Sequence, residues 1–244
     1  MQLVGRIVEI WRYPISSLGG ERLSRANLGP QGVEGDRQYG LIDAATGLPA
    51  VPEKDIKWRK ALHLQARGRE GTLPVISFPD GTSCPLDDPS LNAILSDYFG
   101  FATVIAAYEH TDRPCTFPLT RFRTHHFAMH LLTTMSLEYL ASLRQVVAID
   151  SRRFRPTVLI EARNGSGFVE NKWIGRRLRL GAVGLKAQED TKRCGVTFIS
   201  QPGLEEDPEI LRSILRHNRR NLGIYCSIDG AGTLQLDDEL FVEG

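Results

Sequence analysis

The chain has four cysteines, Cys84, Cys115, Cys194 and Cys226, and no two stand as Cys-x-x-Cys or in a zinc-ligand spacing. That excludes a zinc ribbon and a dithiol redox pair, and it leaves single thiols, free in a reducing compartment. An excess of charge of one sign is also missing. Thirty basic residues face 29 acidic ones, so no global field draws the protein to nucleic acid or to a membrane. No apolar run approaches the ~20 residues that span a bilayer. The first ten residues lack a basic start and a long apolar stretch, so no signal peptide is read and a cytoplasmic location is expected. There is no Gly-x-Gly-x-x-Gly, no P-loop, no Gly-x-Ser-x-Gly, no internal repeat and no low-complexity tract.

What is present is a succession of short strand patterns. Residues 3–11 alternate, and Gly19-Gly20 turns the chain into a second run at 21–28. Further strands are expected at 35–43, 61–66, 75–78, 157–161, 177–180, 183–188, 196–199, 222–228 and 234–236. Helices are expected at 88–100, 133–143 and 207–216, each opened by a capping residue. Residues 107–128 read as an irregular connection. Many short strands with few helices imply a mainly β (α+β) fold built on barrels or a strongly bent sheet, not a parallel α/β sheet.

Chemistry concentrates at one thiol. Cys194 lies in Thr191-Lys-Arg-Cys-Gly195, and cations beside a thiol favour thiolate, the form that binds metal or attacks an electrophile. Gly195 would let a bulky group approach the backbone. Cys226 alternates within a strand pattern and reads as core, whereas Cys84 and Cys115 sit beside prolines in expected loops. Arginines cluster although the totals balance. Arg153 and Arg155 are two apart and would share a side if extended, and Arg37 sits where a turn enters a strand. Against this stands the plain reading of a loop thiol and solvated arginines. His125, His126 and His130 lack a suitably spaced third ligand and read as structural.

Taken in order, these pieces resemble a known family. The carriers are Arg12-Tyr-Pro-Ile-Ser-Ser-Leu-Gly-Gly20, Gly35-Asp-Arg-Gln-Tyr39, Leu131-Leu-Thr-Thr-Met-Ser-Leu137 and Arg153-Phe-Arg-Pro156. They continue through Gly167-Phe-Val-Glu-Asn-Lys-Trp-Ile-Gly175, Thr191-Lys-Arg-Cys194, Gln201-Pro-Gly-Leu204 and Asn221-Leu-Gly-Ile-Tyr225. The chain is similar to MOSC-domain proteins, the domain type that ends molybdenum cofactor sulfurases, preceded by their N-terminal β-barrel partner. The resemblance implies a MOSC-type β-barrel at 116–244 packed against a β-barrel-like domain at 1–115.

That family includes amidoxime-reducing proteins and related bacterial enzymes acting on N-hydroxylated compounds. Carried over by motif, Cys194 would ligate molybdenum of a molybdopterin cofactor and be the catalytic residue. Arg155, Thr191 and Arg193 would contact the pterin, Ser16, Ser17 and Arg37 would lie by its phosphate, and Arg153 and Thr157 would also bind the cofactor. Thr133, Thr134 and Ser136 would add hydrogen bonds at a helix N-terminus, a natural seat for an anion. The partners implied are that anionic cofactor, a small-molecule substrate and a separate electron-donor protein, with no nucleic acid and no membrane. Two positions depart from the family pattern: Ser16 stands where Lys is common, and Thr157 where Asn is common. Losing one cation on a phosphate weakens binding by about 1.5–3 kcal/mol. Three alternatives therefore stand beside the reductase: a sulfur carrier with a persulfide on Cys194, a non-catalytic anion-binding module, and a diverged biosynthetic enzyme on this scaffold.

Overall fold

A computed structural model describes residues 1–68, 72–107 and 128–243. The strands of the first part are β1 (Gln2–Arg12), β2 (Ile15–Ser16), β3 (Glu21–Leu23), β4 (Arg25–Gly29), β5 (Gly32–Val33), β6 (Tyr39–Asp43), β7 (Gln65–Arg67), β8 (Val75–Ser77), β9 (Ser83–Pro85) and β10 (Thr103–Ala107). Those of the second part are β11 (Met129–Thr133), β12 (Val158–Ala162), β13 (Arg177–Leu180), β14 (Val183–Lys192), β15 (Asn221–Asp229), β16 (Gly232–Gln235) and β17 (Glu239–Val242). Among the described residues three α-helices accompany them: α1 (Leu91–Phe99), α2 (Thr134–Arg144) and α3 (Pro208–Asn218).

The protein is mainly β, and its centre is a closed barrel of seven strands. They run in the order β12-β11-β15-β14-β13-β17-β1, and pairing of β1 with β12 closes the ring. Closure removes the open edges that an isolated sheet would expose. Apolar residues that alternate along the strands meet inside it, among them Ile7, Ile10, Leu131, Val158, Ile160, Leu185, Ile224 and Leu240. Along β1 the buried positions run Gly5, Ile7, Ile10, because a register shift between Ile7 and Glu9 moves the inward phase by one residue. Helices α2 and α3 cover the outside through Leu137, Leu140, Ile210 and Ile214. A second core, around Ile15, Leu18, Trp58, Leu64, Ile76, Leu95 and Phe99, holds the small sheets β10-β6-β2 and β7-β8-β9 together. The first strand therefore belongs in space to the barrel of the second part. The boundary expected at 115/116 lies outside the described residues, as do Cys115, His125 and His126 and most of the expected connection at 107–128.

Several local expectations are corrected. Residues 61–66 are not one strand: a 3-10 helix spans Ile56–His63, capped by Asp55, before β7 begins at Gln65. Its buried Trp58, Ala61 and Leu62 have a helical spacing, and the apolar run alone hides that period. Residues 196–199 are not a strand either. The 3-10 turn Gly195–Thr197 forms because the Thr197 hydroxyl donates to the Cys194 carbonyl at 2.9 Å, a local bond that competes with sheet pairing. Cys84 is not a loop thiol but a buried residue of β9. Cys226 is buried in β15, as its alternation implies.

Candidate functional site

The chain leaves β14 at Lys192, is still extended at the half-buried Cys194, and enters a 3-10 turn at Gly195. Gly195 is needed at this turn: a Cβ there would stand 3.0 Å from Cβ of Glu53, from the first part of the chain, and 3.2 Å from Cε1 of Phe198. Cys194 thus sits where the two parts of the protein meet.

Two guanidiniums, those of Arg155 and Arg193, lie within electrostatic reach of it, and a third, that of Arg37, lies within reach of both. Arg193 is buried, donates through Nη2 to the Phe154 carbonyl at 2.6 Å, and has Nη1 3.5 Å from Nε2 of His130. Arg155 donates through Nη1 to the Leu18 carbonyl at 2.5 Å and lies 4.1 Å over the Tyr13 ring. Arg37 lies 4.9 Å over the same ring and pairs with Asp36, whose other oxygen accepts from the Tyr13 backbone N–H at 2.7 Å. Both Arg155 and Arg193 lie within electrostatic reach of the Cys194 thiol. Burial, with the charge of Arg37, pulls Arg155 down to about 10. Burial likewise pulls Arg193 below its ordinary value. Neither makes an ion pair among the described residues.

The polar atoms without partners are the informative ones. Nε of Arg37, Nε and Nη2 of Arg155, Nε of Arg193 and the hydroxyls of Ser16, Tyr13 and Thr191 are buried and have no hydrogen-bond partner among the described residues. An orphaned buried polar group costs about 1–3 kcal/mol, and more when charged. Most of these atoms belong to side chains within electrostatic reach of one another or of Cys194, and together they form a set of donors that an anion would satisfy. The backbone agrees: Ser17, Arg37 and Arg155 all adopt the left-handed region, with φ of 69°, 51° and 51°. Such strain in non-glycine residues is retained where the surroundings over-determine it, and it clusters at sites.

The structure does not bring every expected residue to this socket. Arg153 and Arg155 do not share a side, because Ser151–Phe154 is a 3-10 turn capped by Asp150 and Arg155 reverses the backbone after it. Arg153 instead donates to the Glu205 carbonyl at 2.6 Å, bracing the loop before α3. The Ser17 hydroxyl is used by the Ala50 carbonyl at 3.1 Å, and the Thr157 hydroxyl accepts the His130 backbone N–H at 3.1 Å. The acceptor at the N-terminus of α2 is the protein's own. The hydroxyls of Thr133 and Ser136 donate at 2.7 and 2.6 Å to one oxygen of Glu170, which is fully buried, so neither is free for a cofactor. Thr134 is half-buried beside them. His130 and Tyr13 carry more of the site than motif reading suggests. Each is neutral: burial holds His130 well below the ordinary value of 6.5 and pushes the Tyr13 phenol up.

Burial raises the Glu170 carboxyl above its ordinary 4.5, in spite of the two hydroxyl donors. The folded state therefore holds its proton to a higher pH than the unfolded chain does. Its contribution to stability is complete below about 4.5 and declines as pH rises through the raised value. Denaturant midpoints measured from pH 4 to pH 8 should fall for the wild type and flatten in Glu170→Gln. An equal slope in both proteins removes Glu170 as the cause.

The family model of the MOSC domain matches residues 99–241, and that of the MOSC N-terminal beta barrel domain matches residues 4–70. The fold is similar to that of the YUAD protein from Bacillus subtilis, with a TM-score of 0.54 and 12% identity, covering 99% of this chain and 97% of that one. YiiM from Geobacillus stearothermophilus has a TM-score of 0.38 and 12% identity, covering 48% of this chain and 54% of that one. At 12% identity the likeness to the YUAD protein concerns the fold alone. No curated protein matches the chain.

Proposed function

The chain belongs to the MOSC-domain family, and on that premise we propose that it binds the molybdenum cofactor through Cys194 and reduces N-oxygenated compounds. The observation that carries this reading is the set of buried donors without a partner among the described residues on Arg155 and Arg193, both within electrostatic reach of the half-buried Cys194, and on Arg37, within reach of those two, with a further unpartnered donor on Ser16. A pterin with a phosphate tail is a ligand that would satisfy them, and a soft thiolate suits molybdenum. In this assignment Cys194 is the metal ligand, and Arg155, Arg193 and Thr191 hold the pterin. Arg37 and Ser16 take the phosphate. Arg153, Thr133, Ser136 and Thr157 are left out, since each is engaged within the fold.

When bound, the cofactor supplies oxygen abstraction coupled to a two-electron reduction. Conversion of an N–OH to an N–H consumes two electrons and two protons and releases one water. The chain has no cysteine spacing for an iron–sulfur cluster, so a separate donor protein delivers the electrons. The residues' part is to anchor and orient. The Tyr13 ring, with Arg155 and Arg37 over it, keeps both guanidiniums in place before any ligand arrives.

The test is molybdenum by elemental analysis and pterin by oxidation and fluorescence, on protein made in a host that synthesises the cofactor. Near-stoichiometric metal is expected. Its absence with Cys194 intact overturns the reading. A sulfur-carrier reading is favoured by one feature, Ser16 in place of the common phosphate-facing lysine. It requires intact Cys194 to gain the mass of one sulfur atom from a sulfur donor and to lose it to reductant; no such gain sinks it.

A further inference from the structure

Beside the cysteine socket lies a cavity of about 510 Å³, in the size range of small-molecule sites. One wall comes from Trp11, the Gly19–Gly20 turn and β7, and the other from the Ser151–Phe154 turn and Gln201-Pro202. It thus follows the seam between the two parts of the protein. Gly20 lets the backbone run against Tyr13, for a Cβ there would stand 2.4 Å from the ring.

The lining is strongly cationic. Arg22, Arg67, Arg152 and Arg155 face a single lining carboxylate, Glu21, which already holds Arg12 at 2.8 Å and the Gly68 backbone N–H at 2.9 Å. Arg152 is paired with Asp150, and Arg22 is 3.8 Å from Glu9. Arg67 has no ion pair among the described residues and bonds only to the Gln65 side chain, at 3.3 Å. Gln201 is 9% exposed, and its amide Nε2 has no partner among the described residues. Trp11, Leu62 and Pro202 supply apolar surface between these donors.

Arg155 belongs both to this cavity and to the cysteine socket, whereas Ser16, Arg37, Arg193 and Cys194 are not among the cavity's lining residues. From this arrangement we infer that the cavity is the substrate's entrance and that the substrate is an organic oxyanion, its charge held by Arg67 and Arg22 while its reacting end points past Arg155 towards Cys194. The inference rests on the reductase reading for the reacting end, but not for the charge. Arginine forks bind carboxylate and phosphate oxygens in pairs, and the apolar wall demands a body behind the charge.

The experiment is calorimetric titration with 4-carboxybenzamidoxime, with neutral benzamidoxime and with inorganic phosphate. It uses cofactor-loaded wild type, metal-free Cys194→Ser, and Arg67→Gln and Arg67→Glu, whose exposed site spares the fold. The carboxylated probe is expected to bind about tenfold or more tighter than the neutral one in the first two proteins. The preference should shrink in Arg67→Gln and vanish in Arg67→Glu. Equal affinity for both probes overturns the inference, and so does a preference that survives charge reversal. Inorganic phosphate binding as tightly as the carboxylated probe removes the organic body from it. Probe binding that disappears on cofactor loading assigns the cavity to the cofactor instead. Failure of the reductase reading is separate, since it would appear as protein without molybdenum while the charge preference in Cys194→Ser persists.

Discussion

Cys194→Ser is expected to reduce molybdenum from near-stoichiometric to background and to abolish reduction of N-oxygenated compounds. The magnitude follows from the ligand's position. Changes to groups that merely support a metal ligand cost about 10–100-fold in metal affinity, so removing the ligand itself must cost more. Serine keeps the shape but offers a hard, protonated oxygen where a soft thiolate is required. The fold should not respond. The Cys194 side chain is half-buried, and the turn is held by its carbonyl, which accepts from the Thr197 hydroxyl at 2.9 Å and from the Thr197 N–H at 3.3 Å. Thermal melts of metal-free wild type and variant should therefore coincide, within about 0.5 kcal/mol in stability. Molybdenum retained by Cys194→Ser at the wild-type level would rule Cys194 out as the ligand.

Arg155→Met should move stability and cofactor binding in opposite directions. In the metal-free protein Arg155 is a cation largely withdrawn from water, with Nε and Nη2 unsatisfied. What it gains is one bond to the Leu18 carbonyl and contact with the Tyr13 ring. Replacing such a charge by an apolar chain of similar volume is often neutral or stabilising, by about 1–4 kcal/mol. The metal-free variant should thus melt at or above the wild-type temperature, while its pterin and molybdenum content falls by about ten- to a hundredfold. Because the folded value of about 10 is depressed below the ordinary guanidinium value, the destabilising charge is fully present below pH 10 and is relieved only above it. The gain in stability should then be flat between about pH 6 and pH 8. A variant that melts markedly lower and still carries cofactor would make Arg155 a strut of the fold instead.

Much of the architecture was legible in local signals. Thr133 and Asp207 cap α2 and α3 where a polar residue precedes an apolar period. Strand β13 spans the predicted residues, and alternation places Cys226 in the core. Strand β17, which closes the barrel between β13 and β1, escapes such reading because it directly follows the turn residues Asp237 and Asp238. The turns around the site escape it too. Arg155 reads as part of an extended arginine pair, and only Asp150's cap and the reversal at φ 51° send it away from Arg153.

The sequence by itself determined the mainly β class, the three helices, the core position of Cys226, and the motif that sets Cys194 beside Arg193. Tertiary structure decided which hydroxyls and arginines remain available. Thr133 and Ser136 are consumed by Glu170, 37 and 34 residues away in sequence, and Arg153 by Glu205, 52 away. Arg155 reaches Leu18 across 137 residues and still keeps two nitrogens unpaired. Local propensity carries no record of such partners. A hydrogen bond in a closed barrel is assigned by which strands meet, and only that closure makes an unpaired donor costly enough to mark a site.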